Sequence, residues 1–382
     1  MADELVRTFE KLDVRESPGD VTEVNCKQFQ HLNPSKILPS PLSFFQEVEE
    51  AEVLTQLLPQ NEFVLGSRHG LASLKPDMSK FIQDGSRCHV SNYFGHDLLT
   101  HYDQFIPLAT DQLENMQGIQ NFINQSGSVK KDEKLTIICS RHNLVELIMS
   151  PFSNQDVCLS AVYSNGVLHL FPDKLASRQA TGIHSNDERM RKLCYTGFEL
   201  ENLVTTPAHS QEKTVFYSIV RGRIDSHLEC LFKAEIDCVD PTTGIYTEIK
   251  CSAGIKPQNS YHRQKLLRMW VQTSLIPRTT LLVGIRDPYY NQLTSFERYT
   301  RGQLYRKFNN SNLKFIRQNY NCNANISVQW FHHIMKVIQS CVCQYVVAQG
   351  SDDSPLSFKI SLSKDLLLRI RKLKNKPPGS IF

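Results

Sequence analysis

Apolar and polar positions alternate most clearly in two stretches of the chain. In CLSAVYSNGVLHLF (Cys158 to Phe171), apolar runs flank the turn-forming cluster Ser164-Asn165-Gly166, which predicts a β-hairpin. In AEIDCVDPTTGIYTEIK (Ala234 to Lys250) the alternation carries charge instead. Glu235 and Asp237 share one strand face, and Glu248 and Lys250 share one face of the next strand. With Pro241-Thr242-Thr243-Gly244 as the turn, Asp240 lies opposite Ile245, Asp237 opposite Glu248 and Glu235 opposite Lys250, so all these charges converge. Ile236, Cys238 and Ile249 then fall on the other face and pack inward.

A helical period marks two further segments. SNDERMRKLCYTGFELENLV opens on the cap residues Ser185 and Asn186 and gathers Met190, Cys194, Gly197, Phe198 and Val204 on one arc, with Glu188, Lys192, Glu199 and Asn202 opposite. Glu201 falls within the apolar arc, where a carboxylate needs a metal or a basic partner; the plainer alternative is a partly exposed glutamate at the edge of the stripe. Gly197 weakens this helix and permits close backbone approach. NSYHRQKLLRMWVQTSLIP starts at Asn259 or Ser260 and sets Tyr261, Lys265, Arg268 and Gln272 along one face, away from Leu267, Trp270, Val271 and Leu275. Such a stripe either holds a phosphodiester backbone or is the wet side of a helix. LTIICSRHNLVELIM, with Arg141 near its middle, reads as a strand running into a helix or as one helix.

At 382 residues, 40% of them apolar, the chain can bury a substantial core, and without internal repeats it reads as one domain over residues 37–370. Residues 1–36, with Leu5, Phe9 and Leu12 as a short amphipathic stretch before several prolines, read as a lead-in or arm, and 371–382 as a basic tail. QSGSVKKDEK (Gln125 to Lys134) is a polar loop. The 43 basic and 39 acidic residues leave a net charge of only +4, so any basic surface must be local. Eleven cysteines without a Cys-x-x-Cys pair argue for a reducing compartment, and the charged amino terminus and lack of a long apolar run argue against a signal peptide or membrane span. The expectation is a soluble, cytoplasmic protein, with the nucleus as the alternative. The Asn-x-Ser/Thr triplets at Asn124, Asn309 and Asn325 are then chance. Cys341-Val342-Cys343 beside His332 and His333 lacks zinc-ligand spacing and reads as a buried helix, and His96 and His101 read as structural.

Asp237 directly across from Glu248 is a repulsive pair unless something positive lies between them. Hard carboxylate oxygens suit magnesium or manganese, and Lys250 beside them could hold a phosphate oxygen or polarise water. A solvated hairpin face with a cross-strand Glu–Lys salt bridge accounts for the same residues.

Taken together, Gly197-Phe198-Glu199-Leu200-Glu201, Glu235-Ile236-Asp237 and Glu248-Ile249-Lys250 resemble, in order and form, the motifs of the DXO-type decapping exoribonucleases. Arg141 in CSRHNL and Gln272 in KLLRMWVQTSLIP resemble that family's arginine and glutamine motifs, and YFGHDLLTHYDQFIPL and LLVGIRDPYYNQL also look like family segments. The resemblance covers roughly residues 90 to 350 and is nearest to the fungal decapping exoribonuclease branch. It implies a mixed α/β fold with two mixed β-sheets, flanking helices and an active-site cleft between the sheets, related to restriction-type and phage exonuclease cores. It also implies that Glu201, Asp237, Glu248 and the carbonyl of Ile249 bind Mg2+ or Mn2+, two ions during catalysis, with Glu235 acting directly or through water. Lys250 and Gln272 would position the phosphate and nucleophile and Arg141 would contact RNA, while Lys265 and Arg268 extend the phosphate-binding stripe. The implied activity is decapping and 5′–3′ degradation of capped or 5′-monophosphate RNA in mRNA 5′-end quality control, by a monomer without an obligate protein partner. The rivals are a structure-specific DNA nuclease of restriction-type fold and a noncatalytic RNA-binding scaffold for another exonuclease.

Overall fold

The computed structural model describes residues 14–16, 21–31, 43–58, 60–109, 112, 114–127, 134–173, 182–208, 213–257, 259–309, 322–350 and 354–374. An eleven-stranded mixed sheet forms the frame, in the order Val14–Glu16, Val21–Asn25, Leu367–Leu373, Leu356–Leu362, Val157–Ser164, Val167–Pro172, Leu135–Ser140, Leu228–Glu235, Lys213–Asp225, Glu47–Leu58 and Glu62–Leu65. A six-stranded mixed sheet lies against it, in the order Leu293–Tyr299, Thr279–Arg286, Tyr246–Ser252, Cys238–Val239, Ser73–Leu74 and Thr205–Thr206. Parallel pairing joins Leu135–Ser140 to both Leu228–Glu235 and Val167–Pro172 in the large sheet, and Tyr246–Ser252 to Thr279–Arg286 and Cys238–Val239 to Ser73–Leu74 in the smaller one. The hairpin at Asn165-Gly166 forms as its sequence predicts, both turn residues taking positive φ.

The largest core fills the space between one face of the big sheet and the helices Arg141–Met149, Ser260–Leu275 and Ala324–Gln349, with Phe232, Trp270 and Trp330 at its centre. A second core packs the helices Pro76–Asp84 and Glu188–Val204 on the far side of the smaller sheet, through Met78, Leu200, Ile249 and Leu282. The strand Tyr246–Ser252 serves both, since Tyr246 belongs to the large core and Ile249 to the second. Its period of two therefore turns Glu248 and Lys250 toward the junction between the sheets. Glycine at 284 lets the Glu188–Val204 helix come in closely: a β-carbon there would lie 2.6 Å from Leu200 Cδ2.

Several expectations need correction. The predicted lead-in is part of the fold, because Val21–Asn25 pairs with Leu367–Leu373 and Val24, Cys26 and Phe29 are core residues. That same strand carries residues 371–373 of the predicted tail. Leu5, Phe9 and Leu12, most of the QSGSVKKDEK loop and residues 375–382 lie outside the described residues. Glu188–Val204 is capped by Asp187, not by Ser185 or Asn186. Cys343 is exposed, although Cys341 is buried as expected. No described helix is long and apolar enough to cross a membrane.

Candidate active site

The chain changes sheets inside the acidic motif. Glu235 ends its strand opposite Tyr217 in the large sheet, and the Ile236 amide still donates to the Phe216 carbonyl at 3.1 Å. By Cys238 the chain pairs with Thr247 in the smaller sheet. The predicted register is kept on that side, with the Asp240 amide donating to the Ile245 carbonyl at 2.9 Å, which sets Asp237 across from Glu248. Glu235 is not across from Lys250, as the single-hairpin reading required: it reaches the same cluster from the other sheet. Ile236 accordingly packs into the large core, whereas Cys238 and Ile249 join the second.

At the junction the Lys250 ammonium lies 2.6 Å from Glu248 Oε1, 3.0 Å from the Ile249 carbonyl and 3.8 Å from Asp237 Oδ2. Asp237 Oδ2 also accepts the Ile249 amide at 2.6 Å. These are oxygens that the family resemblance assigns to a divalent ion, and the fold already aims them at one cationic point. Hard oxygen donors of this kind fit magnesium or manganese. Among the described residues, no three His, Cys, Asp or Glu side chains close up into a ready-made metal cage. Glu248 instead faces two cations, for Arg141 Nη1 sits 2.7 Å from its Oε2.

Arg141 owes its place to a strand running directly into a helix. Ser140 ends the strand beside Lys233, and its hydroxyl accepts the Asn143 amide to cap Arg141–Met149, so Arg141 stands in the first turn at the sheet junction. Glu201 comes from the Glu188–Val204 helix and is half-buried.

The electrostatics are those of crowded carboxylates. Burial and the repulsion of Glu248 push Asp237 up to about 7. Burial and Asp237 raise Glu201 well above the usual carboxylate range, and desolvation by its crowded neighbours raises Glu235 against the opposing pull of Arg141, although its side chain keeps an exposed edge. Burial acts the same way on Glu248, but Arg141 and Lys250 outweigh it and hold that group down at about 2. Lys250 is half-buried and raised, because Glu248 and Asp237 overcome its desolvation. A cluster whose carboxylates are raised by desolvation and mutual repulsion is one a further cation would stabilise.

The other predicted residues divide. Lys265 donates to Ser252 Oγ at 3.1 Å and lies near enough to Lys250 to feel its charge, and burial lowers its pKa. Gln272 is half-buried two turns further along the same helix. Arg268 does not join the cluster; it pairs with Glu146 at 2.6 Å and ties its helix to Arg141–Met149. The predicted apolar arc of Glu188–Val204 is inverted in part. Met190 and Phe198 are exposed, while Glu199, assigned to the polar face, is buried. Its carboxylate is held by His96 Nε2 at 2.9 Å and by the Tyr195 hydroxyl at 3.2 Å. Sequence reasoning missed this clamp, since nothing local links residues so far apart in the chain. His96 is structural, as expected.

Comparison with known proteins agrees with this geometry. Residues 60–381 match the family model described as RAI1-like PD-(D/E)XK nuclease. The chain is 34% identical over 303 residues to decapping and exoribonuclease protein 1 of Saccharomyces cerevisiae, covering 75% of this chain and 68% of that one. It is 29% identical over 359 residues to the Kluyveromyces lactis protein of that name, covering 91% and 87%. The crystal structure of K. lactis Dxo1 in complex with manganese superimposes with a TM-score of 0.75 at 25% identity, over 93% of this chain and 98% of that one. A two-sheet core carrying Glu201, Glu235-Ile236-Asp237 and Glu248-Ile249-Lys250 at its junction, matched along most of its length, belongs to the RAI1-like PD-(D/E)XK nuclease family and resembles its fungal decapping and exoribonuclease branch.

Proposed function

We propose that this chain is a divalent-metal-dependent RNA phosphodiester hydrolase that acts at RNA 5′ ends, removing the cap as a cap-bearing dinucleotide and degrading the strand 5′ to 3′ in mRNA 5′-end quality control. The observation that carries this reading is the convergence of Glu248, Asp237 and the Ile249 carbonyl on one cationic point. The names of its relatives point to the same activity.

Glu201, Asp237, Glu248 and the Ile249 carbonyl would hold Mg2+ or Mn2+, with Glu235 completing the set directly or through water. Such an ion, when bound, lowers the pKa of water and stabilises the leaving oxygen. Lys250, whose charge is secured by its carboxylate neighbours, binds the scissile phosphate as a point charge and orients the nucleophile. Gln272 contributes an amide donor and Lys265 a second cation along the same helix face. Arg141 steadies Glu248 and offers its remaining donors to the 5′ phosphate. Arg268, engaged with Glu146, fixes the helix that presents Lys265 and Gln272. Cutting after the first nucleotide releases the cap dinucleotide, and repeating that cut removes nucleotides one at a time, so one site serves both reactions.

All the groups invoked come from a single chain, which favours a monomer without an obligate protein partner. Eleven unpaired cysteines favour a reducing compartment, and we place the protein in the cytoplasm. Strands of identical sequence in RNA and DNA test the substrate class, because contacts to the 2′-hydroxyl distinguish them. Cleavage of the RNA strand alone is expected, and equal or faster cleavage of DNA would favour a DNA nuclease.

A further inference from the structure

The Glu188–Val204 helix turns apolar side chains to solvent on the face that also bears Glu201. At about 100° per residue, Met190, Cys194, Gly197, Phe198 and Glu201 fall within roughly 100° of arc. Met190 is 43% exposed and Phe198 39%, although the helix has a well-packed opposite side in Tyr195, Thr196, Glu199 and Leu200. Phe198 is braced, with its ring centroid 4.9 Å from that of Phe105, which in turn lies 5.0 Å from Tyr195. Ile106, next to Phe105, is 77% exposed.

Gly197 supplies an independent observation. It sits inside the helix, where glycine is less stable than alanine, yet a β-carbon built there meets nothing within 4 Å. No packing within the protein calls for the missing side chain. What the glycine leaves is bare helix backbone and open space, one turn from Glu201 and beside an exposed aromatic ring.

We propose that this face is a base-stacking shelf: Phe198, backed by Phe105, takes the base of a nucleotide adjoining the scissile phosphate, and the strand passes over Gly197. The inference rests on the reading of the site as an RNA 5′-end hydrolase and names where that enzyme grips its substrate. Single-stranded nucleic acid is the occupant because the shelf shares its helix face with Glu201, whose carboxylate lies close enough to Asp237 and the Lys250 cation to feel their charge. Cations for the backbone beside an aromatic face for the bases is how such strands are held without regard to sequence. An enzyme that removes nucleotides one after another needs that indifference to base identity.

The test compares wild type, Phe198→Ala, Phe198→Trp and Gly197→Ala on a short 5′-monophosphate RNA and on versions made abasic at the first, second or third nucleotide. Phe198→Ala should raise KM roughly 5- to 150-fold on the complete RNA with kcat changed less than about twofold. That penalty should vanish when one particular position is abasic, and Phe198→Trp should restore wild-type KM. Gly197→Ala should melt no lower than wild type, since the helix gains, while its KM rises. An unchanged KM in Phe198→Ala, a penalty that persists at every abasic position, or a wild-type KM in Gly197→Ala would overturn the shelf while leaving the hydrolase reading intact. If wild type cleaves no RNA, the hydrolase reading falls, and the shelf with it.

Discussion

The Arg141 guanidinium grips the carboxylate of Glu248, with Nη1 at 2.7 Å from Oε2 and Nη2 at 3.5 Å from Oε1, at a point where Glu248 is almost wholly buried. The pair joins the end of a strand in the large sheet to the middle of a strand in the small one, so it fixes the two halves of the cleft against each other. Breaking a buried ion pair by removing one partner typically costs about 3–5 kcal/mol, and here Lys250 remains to compensate, so Arg141→Ala should lower stability by about 2–3 kcal/mol. A double-mutant cycle with Glu248→Gln, followed by denaturant unfolding, should give a coupling of at least about 1 kcal/mol. Simple additivity of the two variants would show that the pair does not hold the junction.

Gly284 should be as sensitive, for a steric reason. A β-carbon at this position would lie 2.6 Å from Leu200 Cδ2, and Leu200 is fully buried one residue before Glu201. Gly284→Ala should cost about 1–3 kcal/mol through overpacking. It should also displace Glu201, with turnover falling by about tenfold or more. Unaltered melting and turnover would mean that the helix position is not set at this contact.

Metal affinity should depend on pH through the crowded carboxylates. Asp237 is pushed up to about 7 and Glu201 is raised as well, so protons compete with the ion below neutrality and leave as pH rises. Mn2+ binding, followed by calorimetry, should be roughly tenfold weaker at about pH 6 than at about pH 8, and chelation should abolish activity reversibly. An affinity flat across that interval would contradict the assignment of Asp237 as a ligand.

Acid stability should be limited by histidines remote from the cleft. Burial lowers His333 and His169 to about 4, so both are neutral in the fold while the unfolded chain takes up protons from about pH 6.5 downward. The unfolded state then binds more protons, and stability falls as pH drops from about 6.5 to about 4. His333 packs against Phe29 with ring centroids 4.8 Å apart, so His333→Phe should keep the packing and flatten part of that slope. A slope unchanged in the variant would assign the acid sensitivity elsewhere.

What could be read from the chain follows from which interactions are local. The Asp237–Glu248 register was legible because a four-residue turn and a period of two leave one pairing that buries Cys238 and Ile249. The sheet change after Glu235 was not, since Ile236 and Asp237 carry no turn signal and the partner Tyr217 lies on another strand. Periodicity identified the Glu188–Val204 helix but misjudged its faces, because an apolar stripe looks the same whether it meets a core or an open cleft. Glu199 looked exposed for want of any local hint of His96. The strand Val21–Asn25 was missed because it is completed by Leu367–Leu373 from the other end of the chain.

The most direct test resolves by size the products from two RNAs, one cap-labelled and one with a 5′ monophosphate, incubated with magnesium or manganese and either wild type or Asp237→Ala. Wild type should release a cap-bearing dinucleotide from the first and mononucleotides from both, and the folded variant should release neither. Intact RNAs with folded wild-type protein under either metal, or undiminished turnover in Asp237→Ala, would contradict the account.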